Sequence, residues 1–195
     1  MYINHSAKKL SILPVLLFAF GIGLMSCGQK QPESLSASMQ LNIPKSDQTK
    51  EIDGRLLAQA AQFNMEGILL GKLATRRANS EEIIALAQMM EDSHREAKSA
   101  IASLAIYKGI AIPSEPTAAN HDAYDKLNLN EVADFDLAYC NIIIDSDKDA
   151  IAKFESATQE HHDPDVEKIV LKLLPEMRAH LAKAKECRMH LRPIS

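Results

Sequence analysis

The sequence predicts an all-α fold of four long helices packed as a bundle, with a long crossover between the second and the third. Composition is the first observation: 46% of the 195 residues are hydrophobic and only 5% aromatic, with 7 Gly and no Trp. That disfavours a barrel or sandwich and suits helices rich in Ala, Leu, Glu and Lys. The second is an apolar period of 3 and 4 in four segments beyond residue 50. The third is the spacing of the breakers, which leaves short links after segments one and three and a long one after segment two.

Residues 1–26 have the layout of a secretory signal, Lys8 and Lys9 followed by an apolar run from Leu10 to Met25. The run is shorter than the roughly 20 residues of a spanning helix and contains Ser11 and Pro14. It ends in Leu24-Met25-Ser26-Cys27, which resembles the bacterial lipoprotein box and makes Cys27 the expected lipidation site. A remnant transmembrane anchor, or an ordinary cleavable signal, is the alternative. Two or more acyl chains would hold the protein on a membrane without spanning it. Gly28 stands where an Asp often signals inner-membrane retention, so the expected location is the cell envelope, on the outer membrane and facing the periplasm. Residues 27–50, with Pro32, Ser34, Ser36, Ser38 and Pro44, read as lipidated cysteine and flexible tether, and residues 51–195 as the bundle domain. The net charge is −4, or −6 once Lys8 and Lys9 leave with the signal, and there is no long basic run. Both facts argue against a nucleic-acid partner.

The first bundle segment, about 51–79, carries Ile52, Leu56, Gln59, Phe63, Glu66, Leu70 and Leu73 on one stripe. Ser80 then serves as an N-cap ahead of Glu81 and Glu82. The second segment continues Ile83, Ala87, Met90, His94, Ala97, Ile101 and Leu104 until Gly109 stops it. Pro113, Pro116, Asn120 and Asn128 punctuate the stretch from Ile110 to Asn130, which reads as a crossover. The third segment, about 131–160, places Asp136, Cys140, Ile143, Asp147, Ala150, Phe154 and Ala157 on one face. Asp163 and Pro164 open the fourth, which carries Val166, Val170, Leu173, Met177, His180, Ala184, Cys187 and Leu191, with Pro175 expected to bend the helix without ending it. Four helices, two short links and one crossover describe a ferritin-like four-helix bundle.

Each stripe is interrupted near its middle by one ionisable residue: Glu66, His94, Asp147 and His180. At 1.5 Å per residue all four fall within about one turn of a common level. Glu91 and Glu176 approach the same level from the stripe edges. Diiron bundles draw carboxylates and imidazoles from facing helices in this manner, so the six residues form a candidate ligand set. Asp147 is shorter than Glu, and Glu176 precedes His180 by four residues where such sites have three. A single Zn or Fe ion therefore suits the set better than two irons. The alternative is a buried hydrogen-bonded layer that fixes helix register without metal.

Other clusters point less far. Glu160-His161-His162-Asp163 falls at a helix-to-helix turn and reads as a solvated polar run. Met65, Met89, Met90 and Met177 read as core fillers. Cys140 and Cys187 lie near the same end of their helices, as a disulfide or as two separately buried thiols. Arg76 and Arg77 sit at a helix end, where the macrodipole explains them. No Ser/His/Asp arrangement, Gly-rich phosphate loop or CxxC pair is visible, so no catalytic residue is assigned.

Four motifs in order carry a family likeness: Phe63-x-x-Glu66-Gly67-x-x-x-Gly71-Lys72-Leu73-Ala74, Ala87-x-Met89-Met90-x-Asp92-x-His94-x-x-Ala97, Phe135-Asp136-x-Ala138-Tyr139, and Leu174-Pro175-x-x-x-x-His180-Leu181. Together they resemble the exported bacterial family known as domain of unknown function 4142. The resemblance spans about residues 55–191. It implies a ferritin-like bundle, export to the envelope, and a tolerated proline at Pro175. The family pattern has an acid directly before the helix-two His and a His on helix three, where this chain has Ser93 and Asp147. The resemblance implies no defined activity. The expected function is accordingly a membrane-anchored binding or stress-related envelope module, with a metal-binding protein that handles iron or peroxide as the contrasting reading. A bundle that docks a protein partner through its loops is the third.

Overall fold

Helical periodicity becomes helix throughout. The computed structural model, which describes residues 45–160 and 162–191, contains α1 (Lys45–Arg77), α2 (Glu81–Lys108), α3 (Ala118–Asn128), α4 (Val132–Ala157) and α5 (Pro164–His190), with no strand among the described residues. The expected signal, Cys27, His161 and all but the last residues of the expected tether lie outside the described residues. α1 begins at Lys45, so the end of the stretch expected as tether is helical. Among the described residues no helix is long and apolar enough to cross a membrane.

The helix ends follow local chemistry. Gly109 closes α2 at φ 60° in the left-handed region, and the amides of Gly109 and Ile110 reach back to the carbonyls of Ile106 and Ala105. Asp163 caps α5 by accepting from the Asp165 amide at 2.9 Å, with Pro164 in the first turn. α5 runs unbroken through the exposed Pro175, as expected. Ser80 occupies the N-cap position of α2, but its side chain makes no capping bond. Asp136 of α4 instead holds the link ahead of α2, accepting from the amides of Asn79 at 3.0 Å and Ser80 at 2.9 Å.

The crossover is not a plain connection, because α3 lies within it. Thr117 and Asn120 form a capping box: the Thr117 hydroxyl accepts from the Asn120 amide, and the Asn120 side chain accepts from the Thr117 amide at 3.0 Å. Asn120, counted as a breaker in the sequence, is therefore part of the helix start. At the far end of α3, Arg77 donates to Asn128 and Asn130 and lies 4.8 Å from the Phe135 ring centre. It joins α1 to the α3–α4 turn, a role beyond the helix macrodipole.

α1 and α2 form one helical hairpin and α4 and α5 another, with α2 against α5 and α1 against α3 and α4. Two apolar clusters fill the bundle. One contains Leu57, Met65, Ala97, Ile101, Ala150, Phe154, Val166 and Met177. The other contains Leu70, Leu73, Ile83, Met90, Phe135, Tyr139, Ile144 and Ala184. Each such large side chain contributes about 1.5–3 kcal/mol when fully buried. On every long helix the boundary between the clusters falls at the level of the polar residues: after Met65, after Met90, after Ile144 and after Met177.

The stripes of α2, α4 and α5 are buried largely as expected, whereas that of α1 is rotated. Of the expected stripe Leu56, Leu70 and Leu73 are buried, but Gln59 is exposed and Ile52, Phe63 and Glu66 lie at the edge, and the buried face is centred on Asp53, Leu57, Ala60, Asn64, Gly67, Gly71 and Ala74. Close approach to α2 sets this rotation: a Cβ on Gly71 would lie 3.0 Å from the Ala87 carbonyl oxygen, and one on Gly67 would enter the His94 ring.

The turn from Glu160 to Asp163 is also not wholly solvated. His162 is buried, with Nδ1 2.8 Å from the Asp53 carboxylate and Nε2 2.9 Å from the Ala157 carbonyl. Asp53 also accepts from the Asp163 amide. Lys108 pairs with Asp163 and Asp165 at 2.7 and 2.6 Å. These bonds fasten α1 and α2 to the start of α5.

Candidate functional site

Two mid-core groups of the expected layer meet. The His94 and His180 ring centres lie 5.2 Å apart, and Phe63 packs edge-on to His94 at 5.1 Å. Asn64 fixes the His94 tautomer. Its amide nitrogen donates to the Ala60 carbonyl at 2.7 Å, so its oxygen faces His94 Nδ1 at 2.9 Å and accepts a hydrogen bond from Nδ1–H. Gly67 leaves room for this ring, since a Cβ there would come within 2.1 Å of His94 Cδ2. Burial, aided by the neighbouring His180, pushes His94 down to about 3, and burial lowers His180 as well. Both rings are neutral at neutral pH. His180 Nδ1 is buried without a hydrogen-bond partner, and a void of about 10 Å³ adjoins the two rings, with Glu176 among its lining residues.

Asp147 is buried on α4, with Oδ2 unpartnered, and burial raises its carboxyl to about 7. The Tyr139 hydroxyl is likewise buried and unpartnered, and is raised by burial first and by nearby acidic groups, Asp147 among them. Glu91 pairs with Arg95, one turn along α2. The six expected ligands therefore do not come together as one set. His94, His180 and Glu176 border one small void, Glu91 turns to Arg95, and Glu66 faces α3 and α4. Among the described residues, no group of three or more His, Cys, Asp or Glu is placed to hold a metal ion. Nor is the layer a fully satisfied hydrogen-bond network, given the orphaned atoms of Asp147 and His180. Cys140 and Cys187 are free buried thiols, raised to about 12 and about 11 chiefly by burial.

Glu66 belongs to a different place, a cleft of about 620 Å³ between α1, α3 and α4. Its carboxylate accepts from the Ser146 hydroxyl at 2.8 Å and from the Asn120 amide nitrogen at 3.2 Å. Phe63, Ile142, Ala150 and Phe154 supply apolar wall, and Lys126, Asp145, Asp149 and Lys153 stand exposed on the rim. Gln62 closes one end by donating to the Glu115 carbonyl and accepting from the Thr117 amide, both at 3.1 Å. The volume lies within the range typical of sites for small organic ligands, and apolar walls with a few convergent polar groups are their usual character.

Asn64 and Ser146 carry this geometry without having been singled out in the sequence, and Asn120 was read there only as a breaker. The Thr117-x-x-Asn120 box was a legible signal for Asn120. Asn64 and Ser146 offered none, because a lone amide or hydroxyl on a helix is common.

The family model described as Domain of unknown function (DUF4142) matches residues 38–187. Among curated proteins none matches the chain. A solved structure does: the crystal structure of a DUF305 fragment from Deinococcus radiodurans, with TM-score 0.64 and 15% sequence identity, covering 71% of this chain and 96% of that one. At that identity the likeness concerns the fold alone. The family match is broader in meaning, since it runs from ahead of α1 to Cys187 in the last turn of α5 and takes in Glu66, Gly67, His94 and His180; this chain belongs to the DUF4142 family.

Proposed function

We propose that this protein is a lipid-anchored module of the bacterial cell envelope, on the outer membrane facing the periplasm, and that its ferritin-like four-helix bundle binds a small organic molecule in the cleft beside Glu66. The observation that carries the binding reading is Glu66 itself, a half-buried carboxylate held by one donor from α3 and one from α4 at the wall of a roughly 620 Å³ cleft. A bundle needs no such opening for stability, and α3 supplies both a wall and a ligand to Glu66.

The anchor rests on the Leu24–Cys27 box and the polar stretch after it. Mass spectrometry of the protein from its host's membrane fraction should find a chain that starts at Cys27 and carries diacylglycerol on the sulfur. A different N-terminus, or an unmodified Cys27, would sink this half of the reading.

For the cleft, dansylcadaverine is a suitable probe, because it joins an aromatic body to an alkyl chain and a primary amine. Titration of the purified full chain should give saturable fluorescence enhancement. Ala119→Trp, which adds bulk at an exposed position of α3 lining the cleft, should weaken binding at least tenfold. Equal affinity in the two proteins, or no saturable binding, would remove the cleft as a site.

A further inference from the structure

We infer that the cleft between α1, α3 and α4 selects an organic cation, a protonated amine on an apolar arm, with Glu66 as its counter-ion. This inference rests on the binding reading above and adds the ligand's chemical class. Its physical basis is the charge the cleft hides. The exposed rim carries Asp145 and Asp149 against Lys126 and Lys153, so the rim charges balance and remain in water. Glu66 is the charged group set further in, and both of its recorded partners, Ser146 and Asn120, are neutral. Among the described residues it enters no ion pair.

A carboxylate has room for about four hydrogen bonds. Two are taken here, and water supplies the rest while the cleft is open. A ligand that fills the cleft displaces that water. A neutral apolar ligand would then leave a charge stripped of solvent without compensation, and an anionic one would add repulsion. A protonated amine replaces the lost water with charge-assisted hydrogen bonds. The apolar wall decides between an organic cation and a bare metal ion. Phe63 and Ile142, both partly exposed in the cleft wall, offer surface to an alkyl or aryl arm.

Three ligands with one dansyl body separate the possibilities: dansylcadaverine, its 5-hydroxypentyl analogue, and dansyl-6-aminohexanoate. Titrated into the full chain at pH 7, the amine should bind at least tenfold more tightly than the alcohol, and the carboxylate should bind most weakly. Glu66→Gln should bring amine and alcohol to within about threefold of each other, by weakening the amine and relieving the desolvation cost that the buried charge imposes on the alcohol. Alcohol and amine binding equally to the unaltered chain, with both still weakened by Ala119→Trp, would overturn the cation preference and leave the cleft as a site. Failure of all three to bind would overturn both. The comparison on the unaltered chain does not depend on how well Glu66→Gln folds.

Discussion

Asp147→Asn is expected to stabilise the protein at pH 8 by up to about 4 kcal/mol and to leave it unchanged near pH 4. Burial raises this carboxyl from 3.8 to about 7 with no base or cation among the causes. Each pKa unit is about 1.36 kcal/mol of differential interaction. The folded chain thus keeps a proton between about pH 4 and pH 7 that the unfolded chain releases. The contribution of Asp147 is fully present below 3.8 and is lost as pH rises through about 7. At pH 8 the group must be buried as an unpaired anion, and the neutral carboxamide removes that cost.

His94 has the opposite slope. Its folded pKa is lowered from 6.5 to about 3, so stability is present above 6.5 and is lost as pH falls toward 3. Between about 4 and 6.5 the two groups offset each other. In Asp147→Asn the histidine slope is no longer offset, and acid unfolding should begin earlier and be steeper. Urea unfolding at pH 4, 6 and 8 measures both effects. Equal midpoints of parent and variant at pH 8, or a gain that persists at pH 4, would count against a buried, unpartnered carboxyl at this position.

Gly67→Ala should be the most damaging small substitution on α1. The new methyl would lie 2.1 Å from His94 Cδ2, 2.3 Å from Nε2 and 2.6 Å from Cγ. The ring cannot swing aside, because Asn64 holds Nδ1 and Phe63 and His180 flank it. Overpacking of this kind costs about 1–3 kcal/mol or more, and exceeds the roughly 1 kcal/mol by which Ala improves on Gly within a helix. For a domain of this size the melting temperature should fall by roughly 3–10 °C. Gly54→Ala is the control: its methyl would meet Ile110 at an ordinary 3.5 Å, so it should be neutral or stabilising. Adding His94→Ala to Gly67→Ala should recover part of the loss, and the double-mutant cycle gives the coupling. If Gly67→Ala melts at or above the parent, the close approach of α1 to the His94 ring is wrong.

Legibility differed from helix to helix. α2, α4 and α5 each bury one face, so a period of 3 and 4 in the sequence marked His94, Asp147 and His180 as core residues, and the structure buries all three. α1 packs against α2 on one side and against α3 and α4 on another. Its apolar residues spread round the helix, and the stripe read from them missed the true centre by about one position. With that rotation it is Asn64, and not Glu66 of the expected set, that meets His94. The short α3 was hidden for another reason, since its capping residues are the ones that also punctuate loops.

What the sequence by itself determined is the set of long helices, their caps at Gly109 and Asp163, and the level at which polar residues interrupt the core. These depend on residues within a few turns of one another, and local spacing encodes them. The tertiary structure decided which polar groups meet. Asn64 faces His94 across the α1–α2 contact because two glycines let the helices close up, and Glu66 meets Asn120 and Ser146 because α3 folds back within the crossover. Partners 30 to 80 residues apart come together through the rotation of each helix about its own axis. Packing against all neighbours at once sets that rotation, and no single stripe contains it.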